Sequence, residues 1–259
     1  MWNHADPAGT ETKFRAALSS ASGDTARILQ TQIARTHGIR KQFDQARAIL
    51  KTLDLTGAGP EATVNYWLEW GRTFCSATHN ATSQTDQDQA RAAFTLAFEL
   101  AREAKLDLLA IDALHMMAFV DTAPEELLAW NLKTLAYMQA SNDPEARAWE
   151  ASLRNNVGYA LHVAGRLEEA LEQFRLALMA RERKGEVQGI RMIAWTLRGL
   201  RRFDEAIEIQ LRLEREWDLD SQPDPYVYKE LAALYEAAGD ATRAEHDRTK
   251  HDRTRHATA

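Results

Sequence analysis

The sequence has few of the residues that build disulfide-linked, membrane-spanning or β-rich proteins. Its 259 residues include one cysteine, Cys75, so no disulfide can form within the chain. No apolar run reaches the roughly 18 residues of a transmembrane helix, and the first residues lack a basic start followed by an apolar stretch. We therefore expect a cytoplasmic protein that does not bind membranes.

Valine, glycine and proline are also scarce, at 6, 12 and 6 residues against 44 alanines. Alanine is the best helix former, whereas valine favours strands. The composition therefore predicts an all-α fold, and 45% hydrophobic residues suffice for a substantial core. A net charge of −6 argues against nucleic acid as a partner.

The motifs that usually carry catalysis are missing as well. The sequence has no HExxH or CxxC metal motif. It also lacks the glycine-rich phosphate loops and the GxSxG nucleophile turn. We expect no metal, no cofactor and no enzymatic activity.

A pattern of small and bulky residues recurs at intervals of about 40 residues. In one clear copy Gly158 is followed by Leu161, Ala170 and Phe174. Small residues let two helices approach closely, and bulky ones fill the space beside them. The equivalent small or apolar positions of the six copies are Ala46, Ala90, Leu128, Ala170, Ala206 and Ala244.

One copy carries a recognisable signature, because residues 67–74 have the pattern W-x2-W-G-x2-F. This segment resembles the first helix of the tetratricopeptide repeat (TPR), and the Ala-x3-Phe-x2-Ala steps at Ala90 and Ala170 resemble its second helix. The resemblance covers roughly residues 24–250, and the long repeats are similar to extended bacterial members of the family. It implies a right-handed superhelical solenoid of about six TPR-like helical hairpins, whose concave groove binds a peptide or protein segment.

The repeat pattern also predicts the boundaries of the domain. We place the TPR-like solenoid at 24–245, after an N-terminal segment, 1–23, that contains a short helix. Residues 246–259 are almost free of apolar side chains and predict a frayed or disordered tail. The polar segment 76–89 predicts a long loop inside the second repeat.

The resemblance assigns groove positions on each first helix, and helical spacing supports them independently. Asn155, Tyr159 and His162 share one helix face, and Arg191, Trp195 and Arg198 repeat that arrangement one hairpin later. Amides bind a peptide backbone, guanidinium groups bind carboxylates, and tryptophan supplies apolar area. An acidic or C-terminal peptide is therefore the expected guest. The predicted peptide-binding residues are Asn155, Asn156, Tyr159, His162, Arg191, Trp195, Arg198, Glu69, Arg72 and Lys229.

Simpler explanations apply to the same residues. Amides and guanidinium groups on a helix face are most often solvated, and Trp195 equally suits packing between helices. Glu69 and Arg72 fit an ion pair as well as a binding site. For Asp112 and His115 we favour a local hydrogen bond over an oriented catalytic base.

Three functions follow from these patterns. The first is a non-enzymatic scaffold that binds a protein or peptide in the groove. The second is a bacterial peptide sensor that changes superhelix shape when its ligand binds. The third is a cryptic hydrolase that uses Asp112, His115 and His162. A homodimer through the first or last hairpin is a further expectation, since terminal repeats need a polar cap or a cover.

Overall fold

The structure is a computed structural model that describes residues 2–182, 190–219 and 225–257. The described residues are helical and contain no strand, and one isolated bridge joins Ser76 and His79. The all-α prediction is confirmed. The chain divides into two compact units, Met1–Trp149 and Glu150–Ala259.

The described residues of the first unit form eight helices. They are α1 (Pro7–Leu18), α2 (Gly23–Ile39), α3 (Phe43–Lys51), α4 (Pro60–Arg72), α5 (Gln84–Glu103), α6 (Asp107–Val120), α7 (Pro124–Ala140) and α8 (Pro144–Arg147). The second unit contains α9 (Glu150–Val163), α10 (Leu167–Glu182), α11 (Ile190–Gly199), α12 (Phe203–Leu219), α13 (Pro225–Ala237) and α14 (Ala241–Ala257).

Helices that are neighbours in the sequence pack against each other, as the repeat pattern predicts. The six expected hairpins are α2 with α3, α4 with α5, α6 with α7, α9 with α10, α11 with α12, and α13 with α14. In the first unit α1 also packs on α2, and the single-turn helix α8 packs beside α6 and α7. None of the described helices is long and apolar enough to cross a membrane.

Two glycines allow a close approach between paired helices. A Cβ atom added to Gly71 would lie 2.5 Å from the ring of Phe94, and one added to Gly158 would lie 2.7 Å from the ring of Phe174. Both phenyl rings are fully buried, so neither has room to move aside. The small residues of the repeat pattern therefore do what the sequence predicts, since they let the second helix press an aromatic ring against the first.

Five of the described helices end in the same type of tight turn. A residue with positive φ is followed by an amide that donates to the carbonyl five positions earlier, as from Arg166 to Leu161 at 2.9 Å. The positive-φ residues of these turns are Lys41, Lys105, Gly165, Arg201 and Gly239. In the third repeat this turn precedes α6 instead of following it, and α7 begins at Pro124 after an extended residue. The third repeat therefore joins its two helices without this turn.

Two segments are more helical than the sequence suggests. Helix α5 begins at Gln84, where the Ser83 side chain accepts a hydrogen bond from the Asp86 amide, so the loop of the second repeat ends earlier than the predicted 76–89. Helix α14 continues to Ala257, whereas we expected a frayed or disordered tail over 246–259; residues 258–259 lie outside the described part. In α14 Ala244 is buried, and Lys250 pairs with Glu214 at 2.6 Å.

Exchanging glycine for alanine should have opposite effects at two kinds of site. Gly71→Ala and Gly158→Ala force a methyl group into a buried ring and should each destabilise the fold by about 1–3 kcal/mol. Gly38 lies in α2 with nothing within 4 Å of an added Cβ, so Gly38→Ala should stabilise it by about 0.4–1 kcal/mol. Urea denaturation measures all three changes. A Gly71 or Gly158 variant as stable as the parent would contradict the close contact.

Candidate functional site

The second unit presents a continuous row of side chains on the first helices of its three hairpins. Tyr159 and His162 come from α9, Trp195 from α11, and Tyr226 from α13. We call this set, with the charged residues Arg191, Arg198 and Glu230, the aromatic row. Tyr159 is 48% exposed and Tyr226 is 64% exposed, which is unusual for large rings in a folded protein.

Direct contacts join the members of the row. The His162 ring stacks on Trp195 with centroids 3.3 Å apart, and Tyr159 stacks on Trp195 at 6.2 Å. On the other side, the guanidinium of Arg191 lies 5.6 Å from the ring centre of Tyr226. These contacts therefore link α9 to α11 and α11 to α13. The spacing of three and four residues that predicted a shared face on α9 and α11 places these side chains together.

Part of the charge of the row is neutralised internally. Arg198 donates to the Glu230 carboxylate at 2.7 Å, a partner from the next hairpin. His162 Nδ1 lies 3.1 Å from the Thr196 hydroxyl, and burial together with the charge of Arg198 lowers the His162 pKa. His162 is thus neutral at physiological pH, and Arg198 is less available to a ligand than the sequence alone suggests.

Three other predicted residues of this unit stand apart from those contacts. Asn155 and Asn156 are half-buried on α9, and their side chains form no hydrogen bond within the described residues. Their amide groups are therefore left to solvent or to a ligand. Lys229 is exposed on α13 and lines a surface groove with Glu236 and Arg248 instead of contacting the row.

Glu69 and Arg72 belong to the first unit, where they form a buried ion cluster. Arg72 donates to Glu69 at 2.5 Å and to both carboxylate oxygens of Asp112 at 2.5 and 2.6 Å. Arg35 adds a longer contact to Glu69 at 3.4 Å. Only 3% of the Glu69 side chain and 12% of the Arg72 side chain are exposed. The ion-pair interpretation of Glu69 and Arg72 therefore describes their contacts.

Asp112 and His115 do not form the local hydrogen bond that we favoured. Both Asp112 oxygens accept from Arg72, and His115 Nδ1 is buried without a hydrogen-bond partner among the described residues. Burial alone would raise the Asp112 pKa, but the charge of Arg72 outweighs it and holds the pKa below its usual value. Asp112 is thus an ion-pair partner and does not orient His115 as a base.

The ion cluster forms part of the wall of a cavity of about 300 Å³ in the first unit. Its apolar wall includes Met116, Phe119 and Trp149, and its rim includes Ser76, Ala77 and Thr78 from the loop of the second repeat. The sequence did not reveal this cavity, because its lining comes from segments far apart in the chain. The one available signal was the long insertion in the second repeat.

Other candidate chemistry is not assembled. Within the described ranges no three His, Cys, Asp or Glu side chains are close enough to hold a metal ion. The Cys75 thiol is buried and lies 3.1 Å from the Phe119 carbonyl oxygen, to which it donates, and burial raises its pKa. Asp112 and His115 lie in the first unit, whereas His162 lies in the second.

Comparison with known proteins identifies the kind of fold. No family model and no curated protein matches the sequence. The structure is similar to BtubC from P. vanneervenii, with a TM-score of 0.52 and 15% identity over 98% of this chain and 90% of that one. It is also similar to a STAND signal-transduction ATPase with a tetratricopeptide repeat sensor from Pyrococcus horikoshii, with a TM-score of 0.69 and 13% identity over 92% of this chain. The chain spans 37% of that second protein. The likeness shows a helical-repeat fold.

The ion cluster predicts a large effect for removing its shared cation. Arg72→Met leaves Asp112 buried without its ion-pair partner and Glu69 with only the longer contact to Arg35, so we expect a loss of about 3–5 kcal/mol in the free energy of unfolding. The triple variant Glu69→Leu, Arg72→Met, Asp112→Leu should recover most of it. Urea denaturation at neutral pH measures both.

The same cluster predicts the pH dependence of stability. Because the folded pKa of Asp112 is lowered, its contribution is complete above its usual value of 3.8 and is lost as the pH falls through the lowered pKa. In the triple variant this acid-dependent loss should be smaller. Equal acid sensitivity in the parent and the triple variant would contradict the assignment.

Proposed function

We propose that this chain is a TPR-like, non-enzymatic interaction protein whose second unit binds an extended peptide segment along the aromatic row. The observation that carries the proposal is the joined stack of Tyr159, Trp195 and His162, with two tyrosines of the row about half or more exposed. A stack of large rings that reaches the surface at Tyr159 is more typical of a binding surface than of a solvated helix face.

The chemistry of the row indicates the kind of peptide. The rings offer apolar area, and the free amides of Asn155 and Asn156 on the same helix suit a peptide backbone. The row also carries two guanidinium groups, the chemistry that binds carboxylates, and one of them, Arg198, is bound to Glu230. We therefore propose an apolar or aromatic peptide side chain beside an acidic residue or a terminal carboxylate.

The absence of catalysis is part of the same proposal. A hydrolase built on Asp112, His115 and His162 would need a base oriented by a carboxylate. Asp112 is instead bound on both oxygens by Arg72, and His115 Nδ1 has no hydrogen-bond partner among the described residues. These contacts favour binding over chemistry. The cytoplasmic, bacterial setting and the homodimer stay predictions.

Peptides selected from a random library test whether the aromatic row is the binding surface. Peptides selected from a random library on the intact chain should bind Trp195→Ala about 30-fold more weakly, because central tryptophans of an interface contribute about 2 kcal/mol or more. Arg191→Ala should weaken acidic peptides more than neutral ones. The matched control is Met179→Ala on α10, which removes another exposed apolar side chain, 58% exposed, away from the row.

Titration calorimetry measures these affinities. Selected peptides that bind the Trp195→Ala chain as tightly as the parent would rule out the row as the binding surface. Equal losses in Trp195→Ala and Met179→Ala would point to a general effect on folding, which thermal unfolding of both variants checks.

A sensor is the second candidate, favoured by the similarity to the STAND protein with a repeat sensor. In that case a selected peptide should change the dimensions of the molecule as well as bind it. We expect the radius of gyration from small-angle scattering to decrease with the peptide if the protein is a sensor, and to stay constant if it is a static scaffold. The Trp195→Ala chain with the same peptide is the control.

A further inference from the structure

The cavity of the first unit lies apart from the aromatic row and has the features of a small-molecule site. Its volume of about 300 Å³ is at the lower end of known ligand pockets. A cavity of about 150 Å³ holds benzene, so this one has room for a ligand with roughly two rings. Met116 and Phe119 line it together with Trp149. The walls therefore favour an apolar, aromatic guest.

The charged groups around the cavity compensate one another. Arg35 and Arg72 face Glu69 and Asp112, so the two cations balance the two anions. Arg72 is engaged by both carboxylates, and Arg35 also lies 5.5 Å from the ring centre of Trp2. A charged ligand would lose its hydration without gaining an unpaired counter-charge. The cavity therefore suits a neutral molecule.

One polar atom of the lining residues lacks a partner. His115 Nδ1 is buried and makes no hydrogen bond with any described residue. Its ring contacts Phe119 and Trp149 edge to face, with centroids 5.1 and 5.9 Å away. Burial among these rings lowers the His115 pKa and outweighs the nearby charge of Asp112, so the imidazole is neutral. Because Nδ1 has almost no accessible surface, the nitrogen left for a ligand is Nε2, and a hydroxyl, which donates and accepts, can pair with Nε2 in either tautomer.

Gly38 is the second unusual feature of the wall. It lies in the last turn of α2, where a glycine costs about 0.5–1 kcal/mol relative to alanine. The left-handed residue that ends this helix is Lys41, so Gly38 is not needed for the turn. An added Cβ would meet no atom within 4 Å, and Gly38 lines the cavity. A larger side chain here would occupy open space at the cavity.

We propose that this cavity is a binding site for a neutral, two-ring aromatic molecule whose hydroxyl group pairs with Nε2 of His115. The rings would lie among Met116, Phe119 and Trp149, and the absence of a side chain at Gly38 would leave room for them. The loop of the second repeat, through Ser76 to Thr78, closes part of the rim. This site is independent of the peptide-binding proposal.

Three probes of one shape test the site on the full chain. They are 2-naphthol, naphthalene and 2-naphthoate, which differ in the hydroxyl group and in charge. We expect 2-naphthol to bind in titration calorimetry, naphthalene to bind about three- to tenfold more weakly for want of one hydrogen bond, and 2-naphthoate to bind weakest. No binding of 2-naphthol, or tightest binding of 2-naphthoate, would overturn the proposal.

Two variants with matched controls locate the probe. Gly38→Leu should abolish binding of 2-naphthol and naphthalene, whereas Gly38→Ala should retain most of it. His115→Phe keeps an aromatic ring and should reduce 2-naphthol affinity to that of naphthalene, while naphthalene affinity stays unchanged. Thermal unfolding establishes that each variant is folded. Full binding to a folded Gly38→Leu chain, or full 2-naphthol affinity in His115→Phe, would refute the site.

Discussion

The contact between a glycine on one helix and a phenyl ring on the next determines the arrangement of the hairpins that contain it. At Gly71 and Gly158 the ring of Phe94 or Phe174 lies where a Cβ would otherwise be. Such a contact fixes both the separation and the rotation of the two helices, because a phenyl ring fits over a bare backbone in few ways. Once α9 is held in this rotation, Tyr159 and His162 have their places beside Trp195.

The hairpins could be predicted because their determinants are local. Small and bulky residues that meet in a hairpin are separated by one helix and a turn, so their spacing is visible in the sequence. The helical end of α14 could not be predicted in this way. Its polar residues are held by contacts such as Lys250 to Glu214, which are 36 residues apart, and composition alone gave no sign of them.

In the candidate site, too, the local features could be predicted from the sequence and the contacts between hairpins could not. Helical spacing predicted that Tyr159 and His162 share a face, and likewise Trp195 with Arg198. It could not predict which charged groups would pair between hairpins, because that depends on how neighbouring helices are rotated. Arg198 pairs with Glu230, 32 residues away, and Arg72 with Asp112, 40 residues away. Two of the guanidinium groups that the sequence predicts to bind a ligand therefore form ion pairs within the protein.

The same type of repeat forms a cavity in the first unit and an exposed row of rings in the second. In the first unit, the long loop of the second repeat and the ion cluster line a cavity, and burial makes each charge there need an internal partner. In the second unit Tyr159 and Tyr226 stay exposed on the first helices, and Arg198 is paired with Glu230 from the next hairpin. The inserted loop of the second repeat thus adds lining residues to the cavity that the helices alone do not supply.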